Sequence, residues 1–225
     1  MSLSVLSPDA VCSERMAARR VIEAFENGAE IDDATLDRVL GLRIAAVEGR
    51  LDTLALLDRY GVQRFDQGDL TYEVVRAFHH ALAPEIHSRP DLRLLDLGCG
   101  YGRFGLYGAI LHNLTAHGLE LVAERADEAR RAAAGLGLER VTFESGDMLQ
   151  AVWPAADVYC LMNSVLPDLL PPVVERLRAE ALARRIVIAS VSTSNRAFAD
   201  ADWLRPLPVT AEGVAGRELR IWESV

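Results

Sequence analysis

The sequence predicts an α/β protein in which an all-helical N-terminal segment precedes a mostly parallel sheet. Apolar side chains recur at three- and four-residue intervals as far as about residue 83, which is the period of amphipathic helices. Beyond residue 90, short apolar runs alternate with helical segments, as in βαβ units. We therefore predict a helical extension over residues 1–90 and a second domain over residues 91–225.

Turn and cap residues set the predicted limits of the N-terminal helices. Ser7 and Pro8 are typical of a helix start, and Gly28 ends the first helix. Gly41 and Gly49 predict one break in the next helical stretch, and Pro84 closes the region. The predicted helical stretches are 8–27, 32–60 and 72–82.

Seven strands are predicted after residue 90. Helices are expected after the first three strands and around 173–183. The last two strands flank a glycine-containing segment, 211–216, which predicts a terminal antiparallel hairpin. The predicted strands are 92–97, 115–121, 140–144, 157–161, 185–191, 204–210 and 218–222.

Charge composition excludes several kinds of site. The chain has 225 residues with 33 acidic and 24 basic side chains, a net charge of −9, and every basic residue is arginine. Without lysine there is no Walker-type phosphate lysine and no internal Schiff base. Because both halves are acidic and nucleic-acid binding needs clustered cations, we predict that nucleic acid is not a partner.

Cysteines and apolar runs predict a cytoplasmic protein. Cys12, Cys99 and Cys160 are too few and too scattered for a disulfide framework or a zinc pattern. No basic, apolar leader opens the chain, and no uncharged apolar run approaches the roughly 18 residues of a membrane span. The adjacent His79 and His80 diverge on a helix, so structural roles are expected for them, and no metal site is predicted.

A glycine-rich turn is the strongest local signal. Residues 96–102 read DLGCGYG directly after an apolar strand and before a helix. Glycines suit a sharp turn that a ligand approaches closely. A dinucleotide fingerprint places its third glycine at position 103, which is Arg103, whereas here it is Gly102. The spacing favours the GxGxG turn of enzymes that use S-adenosylmethionine (SAM) over that of NAD enzymes.

Acidic residues follow the next two strands. Glu120 ends the second strand at about the 20-residue offset from which a carboxylate reaches ribose hydroxyls. Asp147 and Met148 follow the third strand, where a carboxylate and a thioether suit an adenine ring.

These motifs resemble the class I SAM-dependent methyltransferases over about residues 91–225. A narrower resemblance is to the seven-stranded, non-SET histone lysine methyltransferases and their bacterial relatives, through 71–73 (TYE), 146–149 (GDML) with Trp153, and Met162 with Asn163. The glycine of that family's Tyr-Gly-Glu motif is missing, its paired asparagines are reduced to Asn163, and its basic nucleosome-binding segments are absent.

The resemblance implies a Rossmann-like, seven-stranded sheet and a set of site residues. Asn163 and Tyr72 are the candidates for orienting the methyl acceptor, and Glu73 for the methionine end of SAM. The implied cofactor-binding residues are Asp96, Gly98, Cys99, Gly100, Tyr101, Gly102, Glu120, Asp147, Met148, Glu73 and Asn163.

The predicted function is SAM-dependent methyl transfer to a small-molecule or peptide acceptor, with the helical extension covering the substrate mouth. Two alternatives remain open at the level of sequence. One is a protein that binds SAM without transferring its methyl group, and the other is a Rossmann enzyme that uses a nucleotide or NAD. The sequence does not indicate an oligomeric state.

Overall fold

A computed structural model describes residues 7–61, 70–208 and 217–225. The strands are Arg93–Leu97 (β1), Thr115–Glu120 (β2), Val141–Ser145 (β3), Val158–Leu161 (β4), Val187–Val191 (β5), Leu204–Leu207 (β6) and Leu219–Ser224 (β7). These described strands form one seven-stranded sheet in the order β3-β2-β1-β4-β5-β7-β6. The first five pair in parallel, and β7 pairs antiparallel with β5 and β6. The predicted fold class is confirmed, while the segment predicted as a turn, 211–216, lies outside the described residues.

Helices precede the sheet and connect its strands. They are Pro8–Glu26 (α1), Asp33–Val39 (α2), Ile44–Glu48 (α3), Thr53–Tyr60 (α4), Tyr72–Ser88 (α5), Arg103–His112 (α6), Ala123–Gly135 (α7), Leu170–Ala183 (α8) and Thr193–Ala199 (α9), with a 3₁₀ turn at Pro167–Leu169. Several of these helices begin at a residue whose side chain caps the helix. The side chains of Ser7, Asp32 and Asp52 accept backbone N–H groups at the starts of α1, α2 and α4.

Three details differ from the sequence prediction. The stretch 32–60 is broken twice rather than once, because Gly41 takes a positive φ of 76° after α2 and Asp52 caps a new helix. Helix α5 continues through Pro84 to Ser88. The proline removes one hydrogen bond, but Leu82 and Ile86 on either side of it are buried in the core and hold the helix. Helix α9 was not predicted.

The two faces of the sheet carry separate hydrophobic clusters. Successive strand residues point to opposite faces, so Leu94 belongs to one cluster and Leu95 to the other. The first cluster includes the buried hydrophobic residues of α1, α2, α5 and α6, and the second includes those of α8 and α9. The N-terminal helices therefore share a core with one face of the sheet: α1 and α5 pack on α6, and α3 packs on α7.

No helix in the described part of the chain is both long enough and apolar enough to cross a bilayer.

Replacing Ile188 of β5 by alanine tests the second cluster. Ile188 is fully buried, and loss of a buried isoleucine side chain costs about 2–5 kcal/mol. We expect Ile188→Ala to lower the free energy of unfolding by that amount in denaturant titration. Leu182→Ala is the control because Leu182 is 85% exposed, and equal losses in the two variants would contradict the described packing.

Candidate functional site

A cavity of about 430 Å³ opens where the carboxyl ends of the parallel strands meet. Its walls come from the turn after β1, the end of β2, residues 146–149 after β3, residues 162–169 after β4, and Thr193 at the start of α9. Open α/β sheets bind ligands at this edge. The volume lies within the range of small-molecule and cofactor sites.

The glycine-rich turn forms one wall of the cavity, and two of its glycines have no room for a side chain. Gly98 has a φ of +79°, and a Cβ there would lie 2.4 Å from the Ser164 Cβ. Gly102 has a φ of +72°, and its Cβ would lie 2.4 Å from the ring of Phe143. Side chains at these positions would be both strained and crowded. Gly98 lines the cavity, whereas Gly102 is not among the lining residues and serves the packing on Phe143.

Glu120 is a buried carboxylate at the end of β2. Its Oε2 accepts the Gly100 N–H at 2.9 Å, and its Oε1 accepts the Val122 N–H at 2.9 Å. Burial raises the pKa of Glu120, while these two N–H groups and nearby Arg125 oppose the rise. Each carboxylate oxygen retains acceptor capacity beyond its one N–H bond. Glu120 thus lines the cavity as an oriented acceptor.

Asp96 at the carboxyl end of β1 is a second buried carboxyl group in the same wall. Burial, together with the charge of nearby Glu120, raises the pKa of Asp96 to about 7. Two adjacent buried carboxylates favour a ligand that brings positive charge or hydrogen-bond donors.

Hydrogen bonds to backbone groups hold residues 146–149, which form another part of the cavity wall. The Gly146 N–H donates to the Glu120 carbonyl at 2.8 Å, and the Asp147 Oδ1 accepts the Leu149 N–H at 3.0 Å. The Trp153 Nε1–H donates to the Met148 carbonyl at 2.9 Å. These hydrogen bonds fix the loop that carries Asp147 and Met148, and both residues line the cavity.

Two residues with a positive φ lie beyond the ends of β4 and β5. Asn163 and Ser192 have φ values of 61° and 52°, which is the left-handed region for non-glycine residues. The Thr193 hydroxyl donates to the Asn163 Oδ1 at 2.9 Å. Such strain collects at functional sites. Sequence reasoning found Asn163 but missed Thr193, for which position 193 directly beyond β5 was the available signal.

Two arginines also line the cavity, and each is paired with a carboxylate of the N-terminal helices. Arg103 contacts Asp37 of α2, and Arg125 of α7 contacts Glu48 of α3. Sequence reasoning considered Arg103 alone. The other pairing could not be found because its members lie 77 positions apart without a local pattern.

Tyr72 and Glu73 lie outside the described cavity lining. Tyr72 is fully buried, and its hydroxyl donates to the Asp37 Oδ1 at 2.8 Å. Glu73 is exposed in the first turn of α5. The remaining candidates, Cys99, Gly100 and Tyr101 in the glycine-rich turn, line the cavity with those described above.

The adjacent histidines have separate environments. His79 is fully buried and stacks on Phe104 with ring centroids 4.3 Å apart, and burial lowers its pKa to about 3. His80 contacts the Glu26 carboxylate at 2.5 Å. Across residues 7–61, 70–208 and 217–225, no group of three or more His, Cys, Asp or Glu side chains is arranged to hold a metal ion.

Comparison with known proteins supports a class for the domain that carries this cavity. Residues 94–185 match the family model described as a methyltransferase domain. A search of curated proteins found no significant match. Residues 94–185 therefore carry a methyltransferase domain. The match includes the glycine-rich turn, Glu120, the loop 146–149 and Asn163, so it covers most of the walls of the cavity.

Solved structures share the fold at low sequence identity. An RNA methyltransferase from Salinibacter ruber in complex with S-adenosyl-L-homocysteine is 22% identical, with a TM-score of 0.50 over 71% of this chain and 93% of that one. TrmN from Thermus thermophilus is 16% identical, with a TM-score of 0.52 over 100% and 88%. The tRNA methyltransferase TrmK of B. subtilis is 16% identical, with a TM-score of 0.50 over 64% and 65%.

These findings confirm the predicted methyltransferase class and correct one prediction. The narrower resemblance to histone lysine methyltransferases is not confirmed. The exclusion of nucleic acid was wrong, since RNA and tRNA methyltransferases are among the structures that share this fold. The net charge of a chain is an average, whereas nucleic-acid binding depends on local clusters of cations and does not require an overall basic chain.

Replacing Asp96 tests the buried carboxyl pair. Because its pKa is about 7 in the folded protein and near 3.9 when unfolded, ionisation of Asp96 destabilises the fold progressively as pH rises from about 4 through 7. We expect Asp96→Asn to raise the free energy of unfolding at pH 8 by at least ~1 kcal/mol relative to its effect at pH 4.

The measurement is denaturant titration at both pH values. Asp91→Asn is the matched control because Asp91 is exposed. An Asp96→Asn effect that does not change between pH 4 and pH 8 would show that Asp96 has an ordinary pKa.

Proposed function

We propose that this protein transfers the methyl group of SAM to a small-molecule or peptide acceptor at the carboxyl edge of its sheet. The observation that carries the proposal is the cavity itself, in which a bare glycine turn, Glu120 and the loop 146–149 surround a volume of about 430 Å³. Glycine backbone for close approach and an oriented carboxylate are what the sugar and methionine portions of SAM require.

Each wall of the cavity suits one part of the cofactor. We assign the two ribose hydroxyls to Glu120, whose oxygens are already oriented by two backbone N–H groups. Asp147 and Met148 would hold the adenine, the first as a hydrogen-bond acceptor and the second as an apolar surface. Asp96 would accept the ammonium group of the methionine portion, because a cation offsets the cost of its buried charge.

Methyl transfer from SAM needs positioning more than acid or base catalysis. The cofactor supplies an electrophilic methyl group on a sulfonium whose departing sulfur becomes neutral. The chain has to hold the acceptor in line with that methyl group. We assign this orientation to Asn163, whose amide is held by the Thr193 hydroxyl. Tyr72 and Glu73 are left out of this proposal because they do not line the cavity.

A second cavity supports a small acceptor. It measures about 460 Å³, lies between α8 and α9, and shares Pro167 and Thr193 with the first cavity. Its other lining residues are Leu170, Pro171, Val174, Glu175, Arg196 and Ala197. Since SAM would occupy the first cavity, an apolar acceptor in this adjoining space would lie next to Thr193, whose hydroxyl contacts Asn163.

The cellular location and the acceptor-covering role of the N-terminal helices stay predictions. A cytoplasmic location is supported by three free thiols, of which Cys12 is exposed. An acceptor-covering role for the helices is supported by their contacts with the glycine-rich turn and α7.

Glu120→Ala tests cofactor binding. Loss of a buried, charge-assisted hydrogen-bond partner costs about 1.5–3 kcal/mol, so we expect SAM affinity to fall by roughly tenfold or more. Isothermal titration calorimetry measures it. Glu124→Ala is the charge-matched control because Glu124 is exposed on α7. Unchanged SAM affinity in Glu120→Ala would remove Glu120 from the site.

An acceptor screen with methyl-labelled SAM tests the reaction. We expect label in a metabolite or peptide fraction, and Ala197→Trp, which fills the second cavity, to reduce that labelling at least fivefold without changing SAM affinity, because it removes space for the acceptor alone. Label that appears first in RNA would replace the proposed acceptor with RNA. SAM binding with no label in any fraction would identify a binding protein without transferase activity.

A further inference from the structure

The first residue of α6, Arg103, directly follows the glycine-rich turn and binds helix α2. The Arg103 Nε donates to the Asp37 Oδ1 at 2.8 Å, and its Nη2 donates to the Asp37 Oδ2 at 2.5 Å. A third donor, Nη1, reaches the Leu70 carbonyl at 2.7 Å. Both side chains are largely buried. A two-pronged pair of this kind fixes orientation as well as distance.

Glu48 of α3 makes an equivalent contact to the same side of the cavity. It accepts the Tyr101 hydroxyl at 2.6 Å, and it accepts the Arg125 Nε at 2.8 Å and Nη2 at 3.2 Å. Burial would raise the pKa of Glu48, but the hydrogen bonds from Arg125 and Tyr101 outweigh it and the pKa is lowered. Glu48 is therefore ionised at neutral pH and holds the glycine-rich turn and α7 together.

These contacts determine the charge that the cavity offers a ligand. Arg103 and Arg125 are the cationic side chains that line the first cavity in the described structure. Each is already neutralised by a carboxylate of the N-terminal helices. The acidic lining residues are Asp96, Glu120 and Asp147. The cavity is thus anionic towards its ligand because Asp37 and Glu48 pair its cations.

The cofactor and its product differ in charge. SAM carries a sulfonium, an ammonium and a carboxylate, for a net charge of +1, whereas S-adenosylhomocysteine (SAH) lacks the sulfonium charge and is neutral overall. An anionic site favours the cation over the neutral molecule. Exchange of product for fresh cofactor would then be favoured by the field of the site.

We propose that Asp37 and Glu48 are positioning residues of the cofactor site, which fix the glycine-rich turn and, by pairing Arg103 and Arg125, make the cavity prefer SAM to SAH. The inference rests on the proposed function. It gives the N-terminal helices a part in cofactor selection in addition to the covering of an acceptor.

The matched control is a carboxylate that joins helices away from the cavity. Glu26 of α1 accepts the Tyr107 hydroxyl of α6 and contacts the His80 ring of α5 at 2.5 Å. Glu26 joins N-terminal helices to α6, as Asp37 and Glu48 join them to residues of the cavity wall. Unlike those two carboxylates, Glu26 contacts only residues, Tyr107 and His80, that are outside the described lining of the first cavity. Glu26→Gln removes an interhelical carboxylate without altering the charge beside the ligand.

The experiment measures the affinities of SAM and SAH by calorimetry for the wild type, Glu48→Gln, Asp37→Asn and Glu26→Gln, with thermal unfolding of each unliganded protein. We expect Glu48→Gln and Asp37→Asn to weaken SAM binding about tenfold, through loss of a charge-assisted contact. We also expect the ratio of SAM to SAH affinity to fall at least threefold in both. Glu26→Gln should lower the unfolding midpoint and leave the ratio unchanged.

Rescue and failure are distinguishable. Glu48→Asp keeps the charge, so it should keep the SAM preference even where it weakens binding of both ligands. An unchanged ratio in Glu48→Gln and Asp37→Asn, or an equal change in Glu26→Gln, overturns the inference while the proposed function stands. A wild-type protein that binds neither SAM nor SAH overturns the proposed function and this inference with it.

Discussion

The close approach of backbone to backbone at the glycine-rich turn is the constraint on which the site depends. The N–H groups of Gly98 and Cys99 both donate to the Leu119 carbonyl, so the turn is tied to the end of β2. Ser164 leaves no room for a side chain at Gly98. The Ser164 hydroxyl donates to the Leu97 carbonyl and closes the third side. The ends of three strands thus converge on one turn with positive φ angles.

This convergence places acidic groups where their charge is costly. Asp96 and Glu120 are both buried, and each is oriented by the strand that carries it. A fold selected for stability alone would place apolar side chains at these positions. The cost is understandable if the site is built for a positively charged ligand, because such a ligand offsets part of the cost of the buried charge.

The N-terminal helices are integrated into this arrangement. Their apolar residues join the hydrophobic cluster on one face of the sheet, so helices and sheet share a core. Their carboxylates reach the turn and α7 at Arg103 and Arg125. Hydrophobic packing therefore positions the helices. The largely buried ion pairs then fix the orientation of Arg103 and Arg125 in the cavity wall.

The sequence by itself determined the parallel sheet, its antiparallel end and the local motifs, because each depends on periodicity or on neighbours in the chain. The α/β order and the limits of β1 and β2 follow from short apolar runs, and the turn 96–102 from its glycines. Glu120 and Asp147 were found because strand ends in such a sheet meet at one edge.

Only the tertiary structure showed which distant residues contact the lining of the cavity. Asp37 and Glu48 carry no local signal, since the arginines with which they pair lie 66 and 77 positions away. It also gave Tyr72 its contact with Asp37 instead of a place in the cavity lining, and carried α5 past Pro84. In these cases long-range packing outweighed local preference. Burial of apolar side chains and pairing of charges stabilise the fold by more than the unfavourable propensity of a single residue destabilises it.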